Sequence, residues 1–164
     1  AQIIYENLIN QLPEHPRRYQ AELSRADSML ALAKDNSGQL QDVSLVLERL
    51  IDLPNLPVNV QVEITYKWGF TLIQRALPEE AIEVFTMGLS RYLLNATRSG
   101  ELGAKGRYWM SRLMLELAGT LEGQGRREDA REVYLQLIDY GLPGREIART
   151  KLSKLQIAEG VEGL

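Results

Sequence analysis

Apolar positions in this chain recur three to four residues apart in long runs, the spacing that puts side chains on one face of an α-helix. Val43, Val46, Leu47, Leu50 and Ile51 are an example, within a helix predicted at about 39–52. The same pattern predicts helices at about 1–10, 17–34, 58–76, 78–94, 107–123, 126–140 and 144–158, about eight in total. Period-two alternation, the mark of a half-buried strand, is scarce, so the fold class is all-α. The breaks fall where elementary chemistry puts them. Pro13 and Pro16 cannot continue a helix. Asp35-Asn36-Ser37-Gly38 and Leu53-Pro54-Asn55-Leu56-Pro57 read as turns. Pro78 with Glu79 and Glu80 opens a helix, because proline fits its first turn and carboxylates favour the positive end of its dipole. The glycine-containing stretch 95–106 reads as a loop with a helical start at Glu101.

One pattern repeats. Leu117-Ala118 stands thirteen residues before Ala130, Trp68-Gly69 thirteen before Ala81, and Leu30-Ala31 thirteen before Val43. Each copy is a helix with a small residue, a turn, and a second helix. Small residues at such a crossing let two backbones approach, while Trp68, Phe85 and Tyr134 fill the space toward the next pair. The repeat resembles the tetratricopeptide family, on Leu117, Ala118, Ala130, Tyr134 and Pro143 and on Trp68, Gly69, Ala81 and Phe85. The copy at 24–53 is degenerate, with Val43 for the alanine and Leu47 for the aromatic. The resemblance implies a right-handed superhelical solenoid of antiparallel helix pairs. It would be one domain over 1–164, with units at about 17–53, 58–94 and 107–143 and a capping helix at 144–158. A partial unit at about 1–12 aligns with a second helix, Tyr5 with Tyr134, and implies a piece cut from a longer array.

Composition narrows the function classes. The 164 residues carry a net charge of −3, no cysteine and 45% hydrophobic residues. That balance is wrong for a surface tracking nucleic-acid phosphates, and without cysteine there is neither disulfide nor thiol chemistry. No run approaches the ~20 apolar residues of a membrane span. His15 is the only histidine. It stands between Glu14 and Pro16 and reads as a turn residue rather than a base. Gly100 to Gly106 lacks the strand and the Lys-Ser/Thr of a phosphate loop. Glu79-Glu80 and Glu128-Asp129 read as first-turn carboxylates, and Asn95-Ala96-Thr97 matches a glycosylation pattern. No catalytic residue, metal site or cofactor is expected.

What the resemblance leaves is the inward face of the first helices. Carried over position by position, it runs through Arg25, Ser28, Leu32 and Asp35, then Glu63, Tyr66, Phe70 and Gln74, then Arg112, Leu115, Gly119 and Glu122. Partner-binding residues would be Arg25, Leu32, Glu63, Tyr66, Phe70, Arg112, Leu115 and Glu122. Tyr66 and Phe70 would form an apolar floor with Leu32 and Leu115, or else be covered and belong to the core. The family's carboxylate clamp is not matched: Ser28, Leu32, Lys67 and Glu116 occupy four of its places, and only Arg112 fits. The expected function is a noncatalytic protein-protein interaction scaffold that takes a protein or peptide partner. The alternative is a structural spacer or self-assembly segment that stacks through its open ends. The phrase at 133–155 resembles the bacterial cell-envelope branch of the family, which implies a periplasmic setting, with a cytoplasmic one as the alternative.

Overall fold

A computed structural model describes residues 2–11, 15, 18–33 and 36–162, with side chains from 3 to 155. Among them the chain is helical with no strand. Its α-helices are α1 (Gln2–Gln11), α2 (Arg18–Ala33), α3 (Ser37–Ile51), α4 (Val58–Gln74), α5 (Pro78–Gly88), α6 (Ala96–Gly100), α7 (Ala104–Gly123), α8 (Arg127–Asp139) and α9 (Arg145–Glu162). A π-helical turn, Leu89–Leu93, extends α5. The breaks expected at Pro13 and Pro16, and the inward position of Asp35, lie outside the described residues.

The predicted helices are found, and one more besides. Residues 96–100 form α6 rather than loop, and Glu101 follows a helix instead of starting one. The cause is Asn95, whose Oδ1 accepts from the backbone N–H of Thr97 and Arg98 at 3.1 and 3.2 Å. It satisfies two donors that every helix start leaves open. Asn36 does the same for α3, accepting from Gln39 N–H at 3.1 Å. At α5 the cap is replaced by Pro78 in the first turn, with Glu79 and Glu80 behind it.

Packing follows chain order. α1 lies on α2, α2 on α3, α3 on α4, α4 on α5 and α7, α7 on α8, and α8 on α9. Two hydrophobic clusters result. The smaller joins Leu23 and Ala26 of α2 to Val43, Leu47 and Leu50 of α3 and Ile64 of α4. The larger runs from α4 to α9 through Phe85, Tyr92, Met114, Leu117, Tyr134 and Ala148. Trp68 packs against both.

The thirteen-residue register has a physical counterpart in two hairpins. Ala81, Phe85 and Ala130 are fully buried, as is Ala118. A Cβ built on Gly69 would stand 2.6 Å from Phe85 Cζ and 2.7 Å from its Cδ1, so α4 and α5 cross where only a bare backbone fits. The first copy keeps only half of the pattern. Val43 is fully buried, but Ala31 is exposed, and the buried small residues of α2 are Ala26 and Ala33.

Candidate interaction face

Glu63, Tyr66, Lys67 and Phe70 share one side of α4 at helical spacing. Lys105, Tyr108, Trp109 and Arg112 do so on α7, and α4 and α7 pack together. Where these rows meet, aromatic rings and charges alternate. Tyr66 stacks on Phe70 at 5.9 Å between centroids and tilts against Trp109 at 5.2 Å. Tyr108 meets Trp109 edge-on at 5.1 Å. Arg112 donates to the Tyr66 hydroxyl at 2.8 Å and to that of Tyr108 at 3.4 Å, with its guanidinium carbon 5.3 Å from the Tyr66 ring centre.

Beside the rings lies an ionic chain that crosses three helices. The Lys67 ammonium is 2.8 Å from Glu63 Oε1, 2.6 Å from Asp27 Oδ1 of α2, and 5.4 Å from the Trp109 ring centre. Lys105 reaches the other Glu63 oxygen at 2.7 Å. Glu63 and Lys67 are buried, so this carboxylate and ammonium depend on one another. Burial pushes the Glu63 carboxyl up, but the hydrogen bonds and charges of Lys105 and Lys67 outweigh it, and it titrates below its ordinary value. Burial raises the Tyr66 hydroxyl, so it stays protonated. Burial disfavours the Arg112 charge, yet Tyr66 and Tyr108 more than offset this and raise it.

The structure gathers part of the expected face and disperses the rest. Glu63, Tyr66, Phe70 and Arg112 come together. Tyr66, only 6% exposed, is packed into the larger cluster, so it is no open floor. Its ring is covered by Trp109 and Arg112. Leu32 is 66% exposed and borders a cleft with Met29, Gln39 and Asp42, away from the rings. Leu115 packs by the α8–α9 turn, where its Cδ1 would lie 3.3 Å from a Cβ on Gly144. Arg25 turns to Glu6 of α1 at 3.2 Å. Glu122 accepts from the Tyr134 hydroxyl at 2.5 Å and lies 3.7 Å from Lys151, an α8 and α9 environment. Burial, joined by that carboxylate, pushes the Tyr134 hydroxyl well above its ordinary value.

Lys105, Tyr108 and Trp109 are the contributors the sequence reading missed. Their signal was available: positions 105, 108, 109 and 112 are one face of α7. The family register began that face at Arg112 and so left out its first turns. His15 lies with Tyr5 and Arg18 around a cavity of about 410 Å³ between α1 and α2. No helix among the described residues is long and apolar enough to cross a membrane. Compared with protein-family models, curated proteins and solved structures, the chain matches none.

Proposed function

We propose that this chain is a right-handed solenoid of antiparallel helix pairs, similar to tetratricopeptide arrays, and serves as a noncatalytic scaffold that binds a protein or peptide partner. The close crossing of α4 and α5 at Gly69 and Phe85, and the full burial of Ala118 and Ala130 on the packed pair α7 and α8, support the hairpin repeat. The observation that carries the binding role is Arg112. Its guanidinium is exposed, is held by two tyrosine hydroxyls, and has no carboxylate within ion-pair distance among the described residues. Exposed Tyr108 stands beside it, 45% accessible. An arginine and a tyrosine fixed on rigid helices, with Phe70 half-buried nearby, are the residue types that anchor interfaces.

The test exploits the exposure of both side chains. Arg112→Ala with Tyr108→Ala should lower stability by no more than about 1–3 kcal/mol, the cost of leaving the buried Tyr66 hydroxyl without its donor, and keep the fold. In a quantitative pull-down from the native source, one or more partners should be lost with this double variant and retained with Lys154→Ala. Identical partner sets for wild type and double variant would end the reading.

A second reading, the spacer or self-assembly segment, is favoured by one observation. Ile3, Ile4 and Leu8 on α1 are 72%, 69% and 45% exposed. Contiguous apolar surface of this kind marks contact sites. Concentration-dependent mass in light scattering, abolished by Ile4→Glu, would support it.

A further inference from the structure

On the side of α4 away from the aromatic face, Trp68, Leu72 and Arg75 follow one another at helical spacing. At 100° per residue they lie roughly opposite Glu63, Tyr66 and Phe70. They floor a cleft of about 290 Å³ between α3 and α5. Its apolar lining is Trp68, Leu72, Leu45 and Val84, and its rim carries Glu48 from α3 and Glu80 and Glu83 from α5. Leu45 is 46% exposed, and all three glutamates are exposed.

The charges here are not balanced from within. None of the three carboxylates is within ion-pair distance of a cation among the described residues. Arg75, the one cation of the lining, instead donates to Ser44 Oγ at 3.4 Å. The aromatic face treats its charges differently, for there Glu63 is engaged by two lysines. A cleft with an indole floor and unpaired carboxylates on both walls has a defined complement. It suits a long cationic side chain whose methylenes lie along Trp68 and the exposed Leu45 while its head meets the glutamates.

We propose that the α3–α5 cleft docks a basic segment of a partner protein by inserting one arginine or lysine side chain over Trp68. The surface is distinct from the Arg112 face, so either can fail without the other. Carboxylates from two helices fix the position of the head group, and the indole rewards a cation over a neutral side chain of equal length. Binding is salt-sensitive, because the rim is open to solvent.

The experiment titrates the isotope-labelled chain with a short helical peptide of alanine and leucine bearing two arginines, and with the same peptide carrying citrulline instead. The chain has two tryptophans, so the indole N–H signals of Trp68 and Trp109 report separately on the two faces. The arginine peptide should shift the Trp68 signal saturably and leave that of Trp109 in place, and the citrulline peptide should shift neither. Glu80→Gln with Glu83→Gln should weaken binding about five- to tenfold, the range of two exposed ion pairs. Glu128→Gln with Asp139→Asn, an equal loss of charge on α8, should leave it unchanged. Equal weakening by both double variants, or a Trp68 signal that ignores the arginine peptide, overturns the proposal. So does a Trp68 shift that grows with protein concentration alone, which would assign the cleft to a second copy of the chain.

Discussion

Two glycines, Gly69 on α4 and Gly119 on α7, show how much a single Cβ can decide. Gly69→Ala gains about 1 kcal/mol of helix propensity, but its methyl collides with the fully buried Phe85 ring, an overpacking worth about 1–3 kcal/mol. The net effect should be destabilising. Gly119→Ala meets nothing within 4 Å, so it should keep its gain of about 0.5–1 kcal/mol. Urea midpoints moving in opposite directions would verify the crossing; equal shifts would sink it. Glu63 makes a pH prediction. Its folded value is depressed below 4.5, so its contribution is present above that value and lost as pH falls through the folded one. The stability gap between wild type and Glu63→Gln should be full at pH 7 and shrink below about pH 4. A gap unchanged at pH 3 would mean that the lysines do not hold this carboxylate. Such residues were legible to different degrees. Gly69, Ala81, Ala118 and Ala130 followed from the spacing, because close crossings need small residues. Arg25 and Glu122 did not, because long side chains reach partners on either neighbouring helix and helical spacing does not say which.

At the level of elements, periodicity located the eight longer helices, since each carries an apolar stripe several turns long. It could not find α6, whose five residues bury no side chain and depend on one asparagine cap. Asn95 stands in the sequence as a possible cap, but Gly100, Gly103 and Gly106 give the stretch the composition of a loop. Whether Tyr66 is surface or core was equally beyond periodicity, for the Trp109 ring that covers it comes from a helix far along the chain. Between elements the decisive side chain is Trp68. Trp68→Ala should cost toward the lower end of the ~3–5 kcal/mol of a buried tryptophan, since the ring is only half-buried. It should also split the melt, or broaden it relative to wild type, because it removes the group common to both clusters. A sharp, single transition in the variant would speak against that bridge. α1 should behave as the least protected helix, with amides at 3–9 exchanging faster than those at 81–88. The reverse order would show that something covers Ile3, Ile4 and Leu8 in solution.

Across the whole molecule, α1 to α3 meet the remainder chiefly through α4, and α4 alone borders both clusters. That geometry gives the chain a mechanical character. Tension applied between residues 3 and 155 would converge on α4, where the Trp68 ring and the Lys67–Asp27 ion pair tie α2 and α3 to the longer half. A pulled molecule should therefore yield in stages rather than at once: α1 to α3 would peel away at low force while α4 to α9 hold. Released, it would rewind on a template that had never come apart, so the molecule could stretch and recoil without passing through a fully unravelled chain.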